Sequence, residues 1–333
     1  MKFSLKRSTN LIMKNRIPAY LTLIILFSTI LLSCKNNKIK EQKILKINFL
    51  TSEQYKFIMV DEDIKMAYLD IGNIDNPIVL LLHGEPNNSF VFRNIAPYLV
   101  KQNYRVIIPD LVGFGYSDKP KNAAIITYSN QTKWLNTFID NLKLTDINLF
   151  AHDWGGMISL RIVAERQKLF RKVAVSYSYL FEGNEEIPES FMGFLNYAKN
   201  DSTFSAGNIM DWGTNIKLPD SIKAKYDSPF QYQSDYNSVR KFPSMIPTHT
   251  NDPEAILNKK FNEKLKLFTK PFITLWGNHN DLMWKGKDSI LQKNIIGAKT
   301  KTHYILESNH FIQEDKPDEV TQILIDFFRD DYN

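Results

Sequence analysis

Cysteine is almost missing from this chain, with one residue, Cys34, among 333. A lone thiol closes no intrachain disulfide and builds no cysteine metal cluster. The histidines are scattered as well. His83, His152, His249, His279 and His303 show no ligand spacing, so neither a metal nor a cofactor is expected. Glycine is modest at 13 residues, and Gly113-Phe114-Gly115 lacks the third glycine of a dinucleotide fingerprint, because Asp118 stands in its place. Internal repeats and low-complexity tracts are absent. What the chain does have is apolar bulk: 43% hydrophobic residues, with 22 Phe, 15 Tyr and 5 Trp. That is enough for a sizeable core and excludes general disorder. At about 150 residues per domain, the length allows two domains or one large domain with an insertion.

The formal charge of +6, from 42 basic and 36 acidic residues, would by itself suggest a polyanionic partner. It is unevenly placed. Lys2, Lys6, Arg7, Lys14 and Arg16 fall within residues 1–33, which contain no acid, and the rest of the chain is close to neutral. Lys259, Lys260, Lys264, Lys266 and Lys270 therefore read as a solvated helix face, and no nucleic-acid partner is expected. The basic start is followed by an apolar run, Ala19–Leu32, too short for the roughly 20 residues of a bilayer-spanning helix and laid out like a signal peptide. Leu31-Leu32-Ser33-Cys34 resembles a bacterial lipobox, in which cleavage precedes the cysteine and its thiol is acylated. The expectation is a lipoprotein signal peptide at 1–33, lipidation at Cys34 and a polar tether at 34–46. The protein would then be held on a membrane by its lipid anchor, facing the periplasm or the cell surface.

Further on, short apolar strands alternate with amphipathic helices. Strands are expected at 47–50, 55–60 and 64–71. Ile78–Leu82 is a continuous apolar run, as in a strand buried on both faces of a parallel sheet. A helix over 89–101, a strand at 104–109, a helix over 130–142, a strand at 147–151, a helix to about 165 and a strand at 173–175 follow. The alternation stops between 180 and 266, where aromatics, Asn, Ser and Pro suggest short helical stretches at best, and then resumes with a strand at 272–276. A helix near 288–295, a strand at 303–306 and a helix from Pro317 complete it, the last with Val320, Ile323, Leu324, Phe327 and Phe328 on its inner face. The expected fold is α/β, a doubly wound, mostly parallel sheet (residues 47–179 and 267–333) interrupted by a helical cap (180–266).

The sharpest local feature is Ala151-His152-Asp153-Trp154-Gly155-Gly156, between a buried strand and a helix. A tight strand-to-helix turn lifts its central residue clear of the sheet, and small flanking residues avoid a clash. Here the lifted residue is Asp153. A carboxylate there suits attack on a saturated carbon, with displacement of a leaving group and formation of an ester. An Asp at this boundary is also a common helix N-cap. His83-Gly84-Glu85-Pro86, at a neighbouring strand end, places the Glu85 N–H beside the Trp154 N–H as a candidate oxyanion hole. His310, after the last strand, is the candidate base, and Asp281 the candidate orienting acid, with Glu182 as the other possibility. Trp154 serves equally well as core packing. Phe191, Phe194, Tyr197 and Phe204 either line a pocket or form the core of the cap.

These segments, together with Pro109–Pro120, Val239–Pro243 and Asn309–Pro317, resemble the α/β-hydrolase superfamily over about residues 47–330, in particular haloalkane dehalogenases of the Asp-His-Asp subfamily and the related epoxide hydrolases. The resemblance implies an Asp153 nucleophile, a His310 base oriented by Asp281, a halide held by the Trp154 indole N–H, and a small apolar halogenated or epoxide substrate cleaved with water. It also marks two departures. The second halide-holding tryptophan of the family aligns with Phe194, which has no donor, leaving Trp212 as a substitute. The acid ordinarily stands three residues after the strand-end glycine, which is Asn280, whereas Asp281 is the fourth. The alternatives to a dehalogenase are an epoxide hydrolase, with Tyr197 and Tyr236 as oxygen donors, and a surface-anchored binding protein with little activity. The oligomeric state is not legible.

Overall fold

The computed structural model describes residues 54–279 and 281–329. The expected leader, Cys34, the tether and the strand at 47–50 lie outside the described residues. Within them, no helix is long and apolar enough to cross a membrane.

Eight strands form one sheet: β1 (Lys56–Asp61), β2 (Ile64–Ile71), β3 (Ile78–Leu82), β4 (Arg105–Pro109), β5 (Ile147–His152), β6 (Phe170–Ser176), β7 (Phe272–Gly277) and β8 (Tyr304–Leu306). Their order is β1-β2-β4-β3-β5-β6-β7-β8. β2 runs antiparallel to its neighbours β1 and β4, and every other pair is parallel. β3 and β5 sit at the centre, which is why β3 is an unbroken apolar run and β5 is apolar from Leu149 to Ala151. Val79 to Leu82 and Leu149 to Ala151 have no exposed surface. Each large side chain among them contributes about 1.5–3 kcal/mol of transfer free energy.

Helices α1 (Ala96–Lys101), α2 (Tyr128–Asn141), α3 (Trp154–Glu165), α4 (Glu189–Asn200), α5 (Ala206–Trp212), α6 (Asp220–Asp227), α7 (Asn237–Lys241), α8 (Pro253–Lys266), α9 (Lys287–Asn294), α10 (Ile312–Asp315) and α11 (Pro317–Phe328) complete the fold. The helix expected over 89–101 is split. Asn88 caps a single 3₁₀ turn at Ser89–Phe92, and the chain turns before α1 restarts with Pro97 in its first turn. α11 is rotated relative to expectation: Thr321 and Ile325 are buried with Val320, Leu324 and Phe328, while Ile323 and Phe327 are half-buried.

The stretch between β6 and β7 is more regular than its composition suggested, since it holds α4 to α8. Its last helix also departs from the expected cap. α3 is buried all round up to Ala164, apolar but for Ser159 and Arg161. α8 covers one flank of it. Arg161 of α3, 1% exposed, donates to Glu254 Oε2 at 2.7 Å and Asn258 Oδ1 at 2.8 Å, with its guanidinium 3.3 Å from the Tyr128 ring centroid. Residues 253–266, counted with the cap from sequence, thus pack on a helix of the sheet layers. The signal was a buried arginine, which composition alone does not reveal.

α4 to α7 are joined to the rest by polar contacts. Arg93 donates to Glu314 Oε1 at 2.5 Å and Oε2 at 2.7 Å, and the Tyr226 hydroxyl of α6 donates to the same carboxylate. Asn215 N and Ile216 N, just after α5, donate to Asp315 at 2.8 and 3.1 Å.

Candidate active site

Asp153 lies between the end of β5 and the first turn of α3, with φ 51° and ψ −124°. Such a conformation costs a non-glycine residue on the order of 1–3 kcal/mol. It is held from both sides: Asp153 N donates to Ser176 O at 2.9 Å, and Met157 N donates to Asp153 O at 2.9 Å. Close approach explains the small neighbours. A methyl at Gly84 would stand 2.3 Å from Asp153 Oδ1, and one at Gly155 would stand 2.3 Å from His83 O. The side chain makes no capping hydrogen bond to α3, so the N-cap role considered from sequence is not the one it adopts.

Its carboxylate is instead divided between two environments. Oδ1 accepts the Glu85 N–H at 2.8 Å, and the nearby Trp154 N–H favours the charged carboxylate. Oδ2 faces His310, whose Nε2 is 3.7 Å away, too far for a direct hydrogen bond. On the other side of that ring, Nδ1 is 3.3 Å from Asp281 Oδ2. Burial pushes the Asp153 carboxyl above its ordinary value, opposed by His310 and the two N–H donors. Glu182, the other candidate acid, accepts from Asn262 at 2.7 Å and is not at this site. The carboxylate facing His310 is that of Asp281, the fourth residue after Gly277; Asn280 is outside the described residues.

Glu85 contributes more than its backbone. Its carboxyl is buried in the cavity wall, Oε1 has no hydrogen-bond partner among the described residues, and burial followed by the charge of Asp153 pushes it well above the usual glutamate value. His83 anchors the same loop. Its Nε2 accepts from Leu111 N at 2.9 Å and its Nδ1 is 2.8 Å from Gly84 O, which makes Nδ1 the protonated nitrogen. Burial lowers its basicity.

These groups open onto a cavity of about 280 Å³. The walls include Trp154, Phe191, Phe194, Ile209, Pro243, Ile246, Met283, Trp284 and Phe311. Neither lysine nor arginine is among them. The Trp154 ring is wedged edge-on against Tyr128 and Phe242, at 5.0 Å from each, while its indole N–H has no protein acceptor among the described residues. Phe191 and Phe194 line the cavity, whereas Tyr197 and Phe204 stack on each other outside it. Trp212 reaches the wall but is 59% exposed, so a donor there works against water. Sequence reasoning missed Trp284, which is buried in the wall with its ring 6.2 Å from His310. Its place three residues after Asp281 was the only available signal.

An aspartate raised on a strand-to-helix turn, a backbone N–H from the neighbouring strand end on one of its oxygens and a carboxylate-oriented histidine facing the other define an α/β hydrolase. Residues 77–317 match the family described as alpha/beta hydrolase fold. Within that fold the chain belongs to the haloalkane dehalogenases. It is 37% identical over 279 residues to the haloalkane dehalogenase of Psychrobacter cryohalolentis, covering 82% of this chain and 92% of that one. It is 35% identical over 262 residues to that of Mycobacterium marinum, covering 79% and 88%. A tetrameric haloalkane dehalogenase from Paraglaciecola agarilytica superimposes with a TM-score of 0.74 over 85% of this chain and 95% of that one, at 24% identity.

Proposed function

We propose that this protein hydrolyses small neutral haloalkanes to alcohol and halide through an ester on Asp153. The observation that carries the reading is the division of the Asp153 carboxylate. Oδ1 accepts the Glu85 N–H, while Oδ2 faces His310 across 3.7 Å without a hydrogen bond, so Oδ2 is the oxygen free to attack. Attack in line on the halogen-bearing carbon forms the C–O bond as the halide leaves with the electron pair. The Trp154 indole N–H, in an apolar wall with no competing acceptor, is suited to hold that halide. In the second step His310 takes a proton from water, and the hydroxide adds to the Asp153 carboxyl carbon. Negative charge then develops on Oδ1, where the Glu85 N–H already points, and the Trp154 N–H favours charge on the same carboxylate. Collapse expels the alkoxide, which takes up a proton and leaves as alcohol, and the carboxylate is restored. Asp281, whose Oδ2 is 3.3 Å from Nδ1, keeps the His310 ring in register.

The lining favours neutral substrates, because a haloacid carboxylate would need a cation and the wall offers neither lysine nor arginine. Nothing favours the epoxide alternative. The Tyr236 hydroxyl is committed to Asp227 at 2.7 Å, Tyr197 packs against Trp212, and no tyrosine is among the lining residues. Halide release from dibromoalkanes that is abolished in Asp153→Asn supports the reading. Diol from styrene oxide without halide release from any haloalkane would replace it.

The proposal extends to location. The basic start, the apolar run Ala19–Leu32 and the sole cysteine after Leu-Leu-Ser support a lipoprotein tethered through acylated Cys34, facing the periplasm or cell surface. Loss of membrane fractionation in Cys34→Ser tests this, and unchanged fractionation counts against it.

A further inference from the structure

Tyr177 stands immediately after β6 and has φ 46°, a left-handed conformation that a bulky residue rarely adopts. Its side chain is buried and takes no part in the chemistry above. Yet its hydroxyl lies between the two segments that carry the His310–Asp281 pair. It accepts the N–H of Gly277, the last residue of β7 and the root of the Asp281 loop, at 3.1 Å. It donates to the carbonyl of Asn309, the residue before His310, at 3.3 Å. Its ring centroid is 4.5 Å from that of His310, and the ring also stacks on Trp276 at 5.2 Å. Gly277 is part of the same arrangement, since a methyl there would come within 2.5 Å of the Tyr177 oxygen. The phenol also stays protonated, because burial and then the charge of Asp281 raise it far above its ordinary range. Strain in a single residue, with all its polar capacity used on two loops, points to a part kept for position.

We infer that Tyr177 is a positioning residue for the second half of the reaction: its hydroxyl ties the Asp281 loop to the His310 loop and so fixes the imidazole relative to the Asp153 ester. The inference rests on the dehalogenation reading, because only there does His310 act after the halide has left. The first step needs Asp153, Trp154 and the cavity, none of which Tyr177 bonds. The second needs His310 aimed at a water beside the ester carbon, and small misplacement of a base is costly in rate.

The test is rapid mixing of Tyr177→Phe with excess 1,2-dibromoethane. The phenyl ring keeps the packing against Trp276 and His310 and removes only the bridge. The expected result is a halide burst at the wild-type rate, followed by steady-state turnover at least tenfold slower, with the alkyl adduct on Asp153 detected by mass spectrometry during turnover. Burst amplitude counts folded sites, so partial misfolding lowers the amplitude and leaves both rates readable. Should the phenylalanine variant not fold, para-aminophenylalanine at 177 retains the ring and a donor to Asn309 while weakening the acceptor for Gly277. Its second step should then be slowed and its first unchanged. Equal slowing of both steps, or no slowing of the second, overturns the inference. Absence of any halide burst in the wild-type protein, with diol formed from epoxides, instead removes the dehalogenation reading and the inference with it.

Discussion

Replacing Trp154 with Phe separates the two roles open to that residue. The indole is buried between Tyr128 and Phe242 at 5.0 Å from each, and its N–H donates to no protein group among the described residues. Folding therefore gains nothing from the N–H, and a phenyl ring preserves most of the edge-on packing. The stability loss should stay within about 1–2 kcal/mol, the range for trimming the edge of a buried ring. Catalysis is different. A halide leaving into an apolar wall would lose its indole donor, and one hydrogen bond to an ion is worth about 1.5–3 kcal/mol. At 1.36 kcal/mol per decade, that is roughly a 10- to 150-fold fall in kcat/KM. The assay is halide release from 1,2-dibromoethane, beside thermal unfolding of both proteins and chloride binding followed by tryptophan fluorescence. Activity within twofold of wild type would refute a donor role for Trp154. So would a fall in activity matched by an equally large loss of stability.

Three further outcomes follow from named contacts. Glu85→Gln should flatten the dependence of stability on pH. A folded-state carboxyl held above its ordinary 4.5 keeps a proton that the unfolded chain releases, so its contribution falls as pH rises through and beyond that value, and glutamine removes this slope; unfolding midpoints from acid to neutral pH check it. The halide burst should fail on acidification at a pH above the ordinary aspartate value of 3.8, because burial raises the Asp153 carboxyl and only its charged form attacks; burst rate against pH measures this. Arg93→Ala should destabilise the fold by about 3–5 kcal/mol, since it strands Glu314, whose side chain is 2% exposed, and the drop is readable by urea unfolding.

The parts of this protein that were legible in sequence are those that parallel sheets and tight turns impose on composition. β3 reads as an apolar run because both its faces are covered. Asp153 stands out because the turn that raises it excludes side chains at Gly84 and Gly155. The illegible parts depend on contacts between distant segments. α8 reads as cap by composition, whereas Glu254 and Asn258 on it pair with Arg161 of α3. Trp284 and Tyr177 lacked any motif, and only the convergence of the β6, β7 and β8 ends brings them to His310. Trp212 reaches the cavity wall as its chemistry suggested, yet more than half of it is open to solvent, which composition does not reveal.

The central claim is that Asp153 carries the substrate as an ester and that His310 is needed only to release it. The direct measurement is intact and peptide mass spectrometry of His310→Ala after incubation with 1,2-dibromoethane, beside Asp153→Asn. The account predicts one equivalent of halide released per His310→Ala site, with a bromoethyl group retained on the peptide containing Asp153 and none in Asp153→Asn. Halide release by His310→Ala at the full wild-type turnover rate, or an adduct on any other residue, would contradict it.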